Sequence, residues 1–210
     1  LISLTSPVTK YKTKNVVIVV IDGPRYSETW GDSTHQYIPH LSNELSSTGV
    51  ISTKFYTNGQ TYTNPGHVAI TTGVYQIINN NGQEIPENPS IFQYWLEASN
   101  KPKTAAWVIA SKAKLEILGD CINPIWSGIN TPSTSCGMNG LFSGHRTDSA
   151  TLIETFNVMA EYKPNLILIN FREPDYSGHL NNWNNYLQGI IDTDEYVYQI
   201  NKAIIINLTD

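Results

Sequence analysis

The sequence is short of charge, of cysteine and of long apolar runs, and each shortage excludes something. Only 15% of its 210 residues are charged, and the net charge is -5. That balance offers no basic surface for a nucleic-acid duplex. It still admits a small phosphorylated ligand, because bound metal ions reverse the field of a mildly acidic pocket. No apolar stretch approaches the roughly 20 residues that cross a bilayer. NVVIVVI at 15–21 is β-branched and far too short, so no membrane span is expected. Repeats and low-complexity linkers are absent too. With 40% hydrophobic residues, 11 Pro and 14 Gly, the composition is that of one globular domain able to bury a core.

The two cysteines, Cys121 and Cys136, bracket CINPIWSGINTPSTSC. Gly, Pro, Ser and Asn crowd that segment, as in a loop. Against a pair of free thiols, a loop closed by a disulfide is the expectation. A bridge would imply an oxidising compartment, so the protein is expected to be periplasmic or secreted. The chain starts at Leu1 without a Met, which fits a removed leader. Asn207-Leu208-Thr209 is a formal glycosylation triplet.

Along the chain, continuous apolar runs alternate with helical patterns. Residues 1–14 are polar and aperiodic, a surface arm. NVVIVVID (15–22) reads as a buried parallel strand that opens into Gly-Pro at its carboxyl end. IPHLSNELSSTG (38–49) reads as a short helix stopped by Gly49, VISTKFYT (50–57) as a strand, and PGHVAITTG (65–73) as a short helix. PSIFQYWLEAS (89–99) keeps Phe92, Trp95 and Leu96 on one helical face. TAAWVIAS (104–111) is the next buried strand. SATLIETFNVMAEY (149–162) is a helix with Leu152, Phe156 and Met159 on one side. NLILINF (165–171) is a further strand, and residues 186–206 are helical, with Ile190, Ile191, Tyr198 and Ile204 at apolar positions. This alternation predicts a single α/β domain: a mainly parallel sheet flanked by helices on both faces.

Sites in such sheets form at the carboxyl ends of strands. Asp22 ends the first strand, and Asp175 follows the strand at 165–171, with His179 four residues on. Thr63 opens the helix of TNPGH, whose proline suits a first turn. Its hydroxyl reads either as an N-cap or as a nucleophile at the positive end of a helix dipole. Asp22 alone reads equally as a turn residue. His35, His40 and His145 read as ordinary histidines, because a metal site needs several converging partners. His67 reads as packing or support for Thr63. Lys112 and Lys114, in VIASKAKLEIL, lie on one face at a strand end. They read as solvated lysines or as the edge of the same site.

Taken together, VVIVVIDG, TNPGH before AITTGVY, and NFREPDYSGH, in this order, resemble the alkaline phosphatase superfamily. YIPHLSNELSSTGVISTKFY resembles its connecting helix and strand. The similarity runs from about residue 15 to the end, and is greatest to the branch with a threonine nucleophile. That branch includes the nucleotide pyrophosphatase/phosphodiesterases and the Thr-type phosphomonoesterases. The resemblance implies that Thr63 attacks phosphorus and bridges to one of two Zn²⁺ ions, shared with Asp22, while Asp175 and His179 hold the other. It implies a phospho-threonine intermediate and a small phosphorylated substrate. Lys112-x-Lys114 is similar to the Lys-x-Arg segment that contacts phosphate in the monoesterases, which favours a phosphomonoesterase over a phosphodiesterase. Asn80, in NNNG, stands where the family places an asparagine for a phosphate oxygen. A sulfatase would need a cysteine in a Cys-x-Pro-like motif, and neither cysteine has that setting. The family completes its ligands downstream with Asp-His-Gly and a later histidine, beyond Asp210. The expectation is therefore a domain truncated at its C-terminus, with two Zn²⁺ ions in the complete protein and partial or no occupancy in this chain. On that expectation the chain is inactive as it stands, a fragment or a binding module of the same fold. An exposed sheet edge would then permit a homodimer.

Overall fold

The structure, a computed structural model, describes residues 13–208. Four strands form one sheet: β1 (Val16–Asp22), β2 (Ala106–Ala110), β3 (Ser133–Cys136) and β4 (Leu166–Pro174). Their order is β1-β4-β2-β3, and all pairs are parallel. Five α-helices accompany them among the described residues: α1 (Thr63–Thr72), α2 (Ile91–Ser99), α3 (Asp148–Tyr162), α4 (Asp175–His179) and α5 (Trp183–Asn207).

β2 and the first part of β4 are apolar and, like most of β1, are covered on both faces. On one face Ala106, Val108, Ala110, Leu166 and Leu168 pack with Val68 of α1 and Phe92 and Leu96 of α2. On the other, Ile109, Ile167, Ile169 and Phe171 pack with Leu152, Val158 and Met159 of α3 and Ile200 of α5. The alternation of successive residues between two buried faces is the strand period applied to a three-layer α/β fold. The helices start where chemistry allows. Ser90 and Gln93 form a reciprocal capping box for α2, and the Thr147 hydroxyl caps α3.

Several readings change. Residues 50–57 form no strand; Val50 is fully exposed and Phe55 nearly so. A β-prone stretch without a neighbouring edge has nothing to bond. The helix expected at 38–49 is present in a different form, a π-helix at His40–Leu45 continued by a 3-10 helix at Ser46–Thr48. Its entry is fixed by the buried Asp194 of α5, whose carboxylate accepts from the His40 and Leu41 amides, both at 2.8 Å. β3 was not foreseen. Cys121 and Cys136 are both free and buried, so the expected disulfide is absent. Cys136 ends β3 and packs into the core beneath α2, where burial pushes its thiol up to about 12. Without the bridge, the cysteines no longer argue for an oxidising compartment. The N-terminal arm lies outside the described residues except for 13 and 14, as does Thr209 of the glycosylation triplet. Among the described residues no helix is long and apolar enough to cross a membrane.

Candidate functional site

Three adjacent strands deliver side chains to one edge of the sheet. Asp22 is the last residue of β1, Lys112 follows β2, and Asp175 follows β4. The register between β1 and β4 explains the proximity of the two acids. Ile21 pairs with Phe171, but Asp22 pairs with Pro174, leaving Arg172 and Glu173 in a bulge. The bulge carries β4 past β1 and places Asp175 beside the turn after Asp22. That turn contains Gly23 at φ +76°, where a Cβ would lie 2.7 Å from the Asp175 Cβ. Only glycine accommodates both the backbone angle and the approach.

The amides freed by the bulge are satisfied by Asp148, a buried residue at the start of α3. Its oxygens accept from the Arg172 amide at 2.8 Å, the Glu173 amide at 2.9 Å and the Ser111 hydroxyl at 2.5 Å. Burial raises the Asp148 pKa against these bonds. Asp148 thus ties the backbone before Asp175 to the residue before Lys112. The sequence offered no signal for it beyond its place in a helix first turn.

Thr63 is the first residue of α1, not its cap. Tyr62 occupies the cap position in an extended conformation, and its side chain makes no cap bond. The Thr63 hydroxyl faces the other two strand ends, 3.3 Å from Asp22 Oδ2 and 3.2 Å from Lys112 Nζ. His67, one turn on, is buried and holds the helix start. Its Nδ1 lies 2.8 Å from the Thr63 carbonyl, and its Nε2 lies 3.2 Å from the amide nitrogen of Asn170. Since the amide donates to Nε2, Nδ1 carries the proton, and desolvation lowers the His67 pKa in keeping with a neutral ring.

Lys112 is 4% exposed. Its ammonium lies 2.5 Å from Asp22 Oδ2 and 2.6 Å from Asp175 Oδ2. Around the first turn of α1, the Asn80 side-chain oxygen accepts from the Asn64 amide at 2.9 Å and from Lys114 Nζ at 2.9 Å. Burial first, and then the charge of Lys112, lower the Lys114 pKa to about 8. The buried side-chain oxygen of Asn64 has no hydrogen-bond partner. His179, at the end of α4, is largely exposed and reaches Asp175 Oδ1 with Nε2 at 3.3 Å.

The sequence-predicted residues fall into two hydrogen-bonded groups: Asp22, Thr63, Lys112 and Asp175, with His179 attached through Asp175, and Asn80 with Lys114, joined to the first group through the amide of Asn64, the neighbour of Thr63. His40 lies apart, between Glu44 and Glu195 and stacked on Tyr198, and His35 packs against Trp30. His145 is nearer than its ordinary reading implied. Its backbone bridges that of Lys112, and its ring meets Tyr176 edge-on. Two carboxylates already converge on one cation, so the donors suit a positive centre, and carboxylate, hydroxyl and imidazole are zinc-compatible by type. Among the described residues no three His, Cys, Asp or Glu side chains form a metal-holding group.

A family model for type I phosphodiesterase / nucleotide pyrophosphatase matches residues 16–204, a span containing every one of these site residues. No curated protein matches the chain.

Proposed function

We propose that this chain, which belongs to the type I phosphodiesterase / nucleotide pyrophosphatase family of the alkaline phosphatase superfamily, is a phosphoric ester hydrolase with Thr63 as nucleophile. The observation that carries the reading is the Thr63 hydroxyl. It makes no cap bond to its own helix and faces Asp22 and Lys112. Asp22 Oδ2 accepts from Thr63 Oγ, so it faces the proton that must leave. Lys112 Nζ, 3.2 Å from the same oxygen, stabilises the alkoxide as it forms. The helix dipole of α1 acts in the same sense. Phosphate oxygens would be received by the side-chain NH2 of Asn80, whose oxygen holds the Asn64 amide, and by Lys114. Attack forms the Oγ–phosphorus bond and breaks the ester bond, and the departing oxygen takes a proton. Water then cleaves phospho-Thr63 to phosphate or a phosphomonoester.

Two zinc ions, one held by Asp22 and Thr63 and the other by Asp175 and His179, would supply Lewis-acid stabilisation of the attacking and departing oxygens. A monoester leaves more charged oxygens to be held than a diester does, and two lysines favour the monoester. The test is turnover of 4-nitrophenyl phosphate against bis(4-nitrophenyl) phosphate, with zinc added, in the wild type and Thr63→Ala. The monoester should turn over faster, and Thr63→Ala should lose at least ~10³-fold. Wild-type rates in a folded Thr63→Ala protein would remove Thr63 as nucleophile.

A second reading is a non-catalytic binding module of the same fold. It is favoured by the ion pairs of Lys112, which neutralise both carboxylates within the protein. Metal analysis separates the two: two firmly held zinc ions per chain support the hydrolase, and none after equilibration with zinc supports the module. Association through an edge strand, β1 or β3, belongs to the same proposal and is checked by light scattering.

A further inference from the structure

The central strand carries one polar side chain within an apolar run, Asn170 in LILINF. Asn170 is fully buried, and an asparagine is costly and uncommon inside a strand. Its hydrogen bonding is lopsided. The side-chain nitrogen lies 3.2 Å from His67 Nε2 and 3.4 Å from the Phe171 carbonyl oxygen, while the side-chain oxygen is buried without a partner. A leucine of similar volume would avoid that unpaired oxygen, so packing does not account for an asparagine here. What Asn170 supplies is a donor to His67, a ring only 3% exposed. That donor settles the tautomer. Nε2 accepts, so Nδ1 carries the hydrogen and gives it to the Thr63 carbonyl oxygen at 2.8 Å. Asn170 also reaches the lysine side of the site through its backbone. Its carbonyl accepts from the amide of Ser111 at 2.9 Å, one residue before Lys112.

We infer that Asn170 is a positioning residue for the nucleophile, acting through His67 to hold Thr63 at the strand ends. The inference rests on the reading of Thr63 as nucleophile. Thr63 needs such support because it is the first residue of α1, and helices fray at their first turn. Its backbone is held through the carbonyl, and the imidazole that holds it is pinned in turn by β4, the strand that leads into Asp175. β4 therefore sets the place of Thr63 relative to Asp175 and, through Ser111, relative to Lys112. Without Asn170 the ring keeps its hydrogen bond to Thr63 but loses the contact that fixes its tilt. A small displacement of the attacking oxygen is enough to slow an in-line attack. Binding of the phosphoryl group falls to Asn80 and Lys114 and is unaffected. The effect thus belongs on kcat and not on KM.

The test measures turnover of 4-nitrophenyl phosphate, with zinc present, in the wild type, Asn170→Leu, Asn170→Asp, His67→Asn and the double variant of His67→Asn with Asn170→Leu. Folding is checked by circular dichroism. Leucine keeps the volume and removes the donor, and aspartate keeps the shape and puts an acceptor in its place. His67→Asn keeps a donor near the Nδ1 position but no longer reaches Asn170. Each single variant should lose roughly tenfold in kcat, with KM within about twofold of the wild type. The double variant should fall less than about twofold below His67→Asn, because Asn170 acts only through the ring. Nitrogen NMR of the wild-type imidazole should show a neutral ring with its hydrogen on Nδ1. Wild-type kcat in a folded Asn170 variant, a loss carried by KM, losses that multiply in the double variant, or a wild-type ring with hydrogen on Nε2 would each overturn the inference and leave the hydrolase reading intact. A folded, zinc-loaded wild type without turnover would overturn both.

Discussion

At the scale of single residues, a buried ammonium sets the electrostatics of the site. Lys112 separates two carboxylates that would otherwise face each other across a partly desolvated space. Lys112→Met should lower the stability of the metal-free protein by about 3 kcal/mol, because it leaves carboxylates uncompensated. Thermal denaturation should register a fall of roughly 10 °C. Lys114 supplies a pH dependence. Its lowered pKa, about 8, means that it is a cation below that pH and neutral above it. Phosphate affinity should therefore weaken as pH rises through about 8, and Lys114→Arg, which stays charged, should carry binding beyond pH 10. Competition binding of inorganic phosphate across pH checks this. The proximity of Asp22, Thr63 and Lys112 was legible because each sits beside a structural signal: an apolar run ending in Asp, a proline in a helix first turn, a strand ending in Ser-Lys; Asn80 had no such signal and entered only through the family resemblance. Asp148 was not legible. Its partners are two backbone amides and a serine, and no side-chain motif announces a carboxylate that serves the main chain. Tyr186 was missed for a similar reason, since its hydroxyl joins Gly23 and Arg25 across a long stretch of sequence.

At the scale of elements, the bulge between β1 and β4 matters most, and Asp148 is its support. Asp148→Ala should strand the amides of Arg172 and Glu173 and cost about 3 kcal/mol, read from urea denaturation with an unchanged slope. A larger loss of turnover than of stability would show that the bulge positions Asp175. Helices α2 and α3 were readable from spacing and caps, and β1, β2 and β4 from unbroken apolar runs. The stretch at 50–57 had strand-like composition but no edge to join. β3 shows the converse: Ser133–Cys136 is mostly polar, yet it pairs with Trp107–Ala110, whose apolar side chains supply the packing. Strand identity in both cases was decided by a neighbour, which local composition does not encode.

At the scale of the molecule, the layers followed from the alternation of elements, but the order of the strands did not. Nothing in VVIVVID, AWVIA or LILINF says which run is central. The structure places β4 between β1 and β2, buried on both faces. Hydrogen exchange should therefore find the slowest amides around Leu168 and Ile169, and near-intrinsic rates across 50–57, where the backbone lies in an exposed loop.

That central position has a temporal meaning. The strand that joins the others is the last of the four to leave the ribosome, so β1 emerges without a neighbour and waits until Leu166 has been synthesised. During translation the nascent polypeptide exposes a valine- and isoleucine-rich ribbon with both margins unpaired, a natural client for chaperones. Slowing elongation before β4 should lengthen that exposure and raise the share of newly made protein that aggregates.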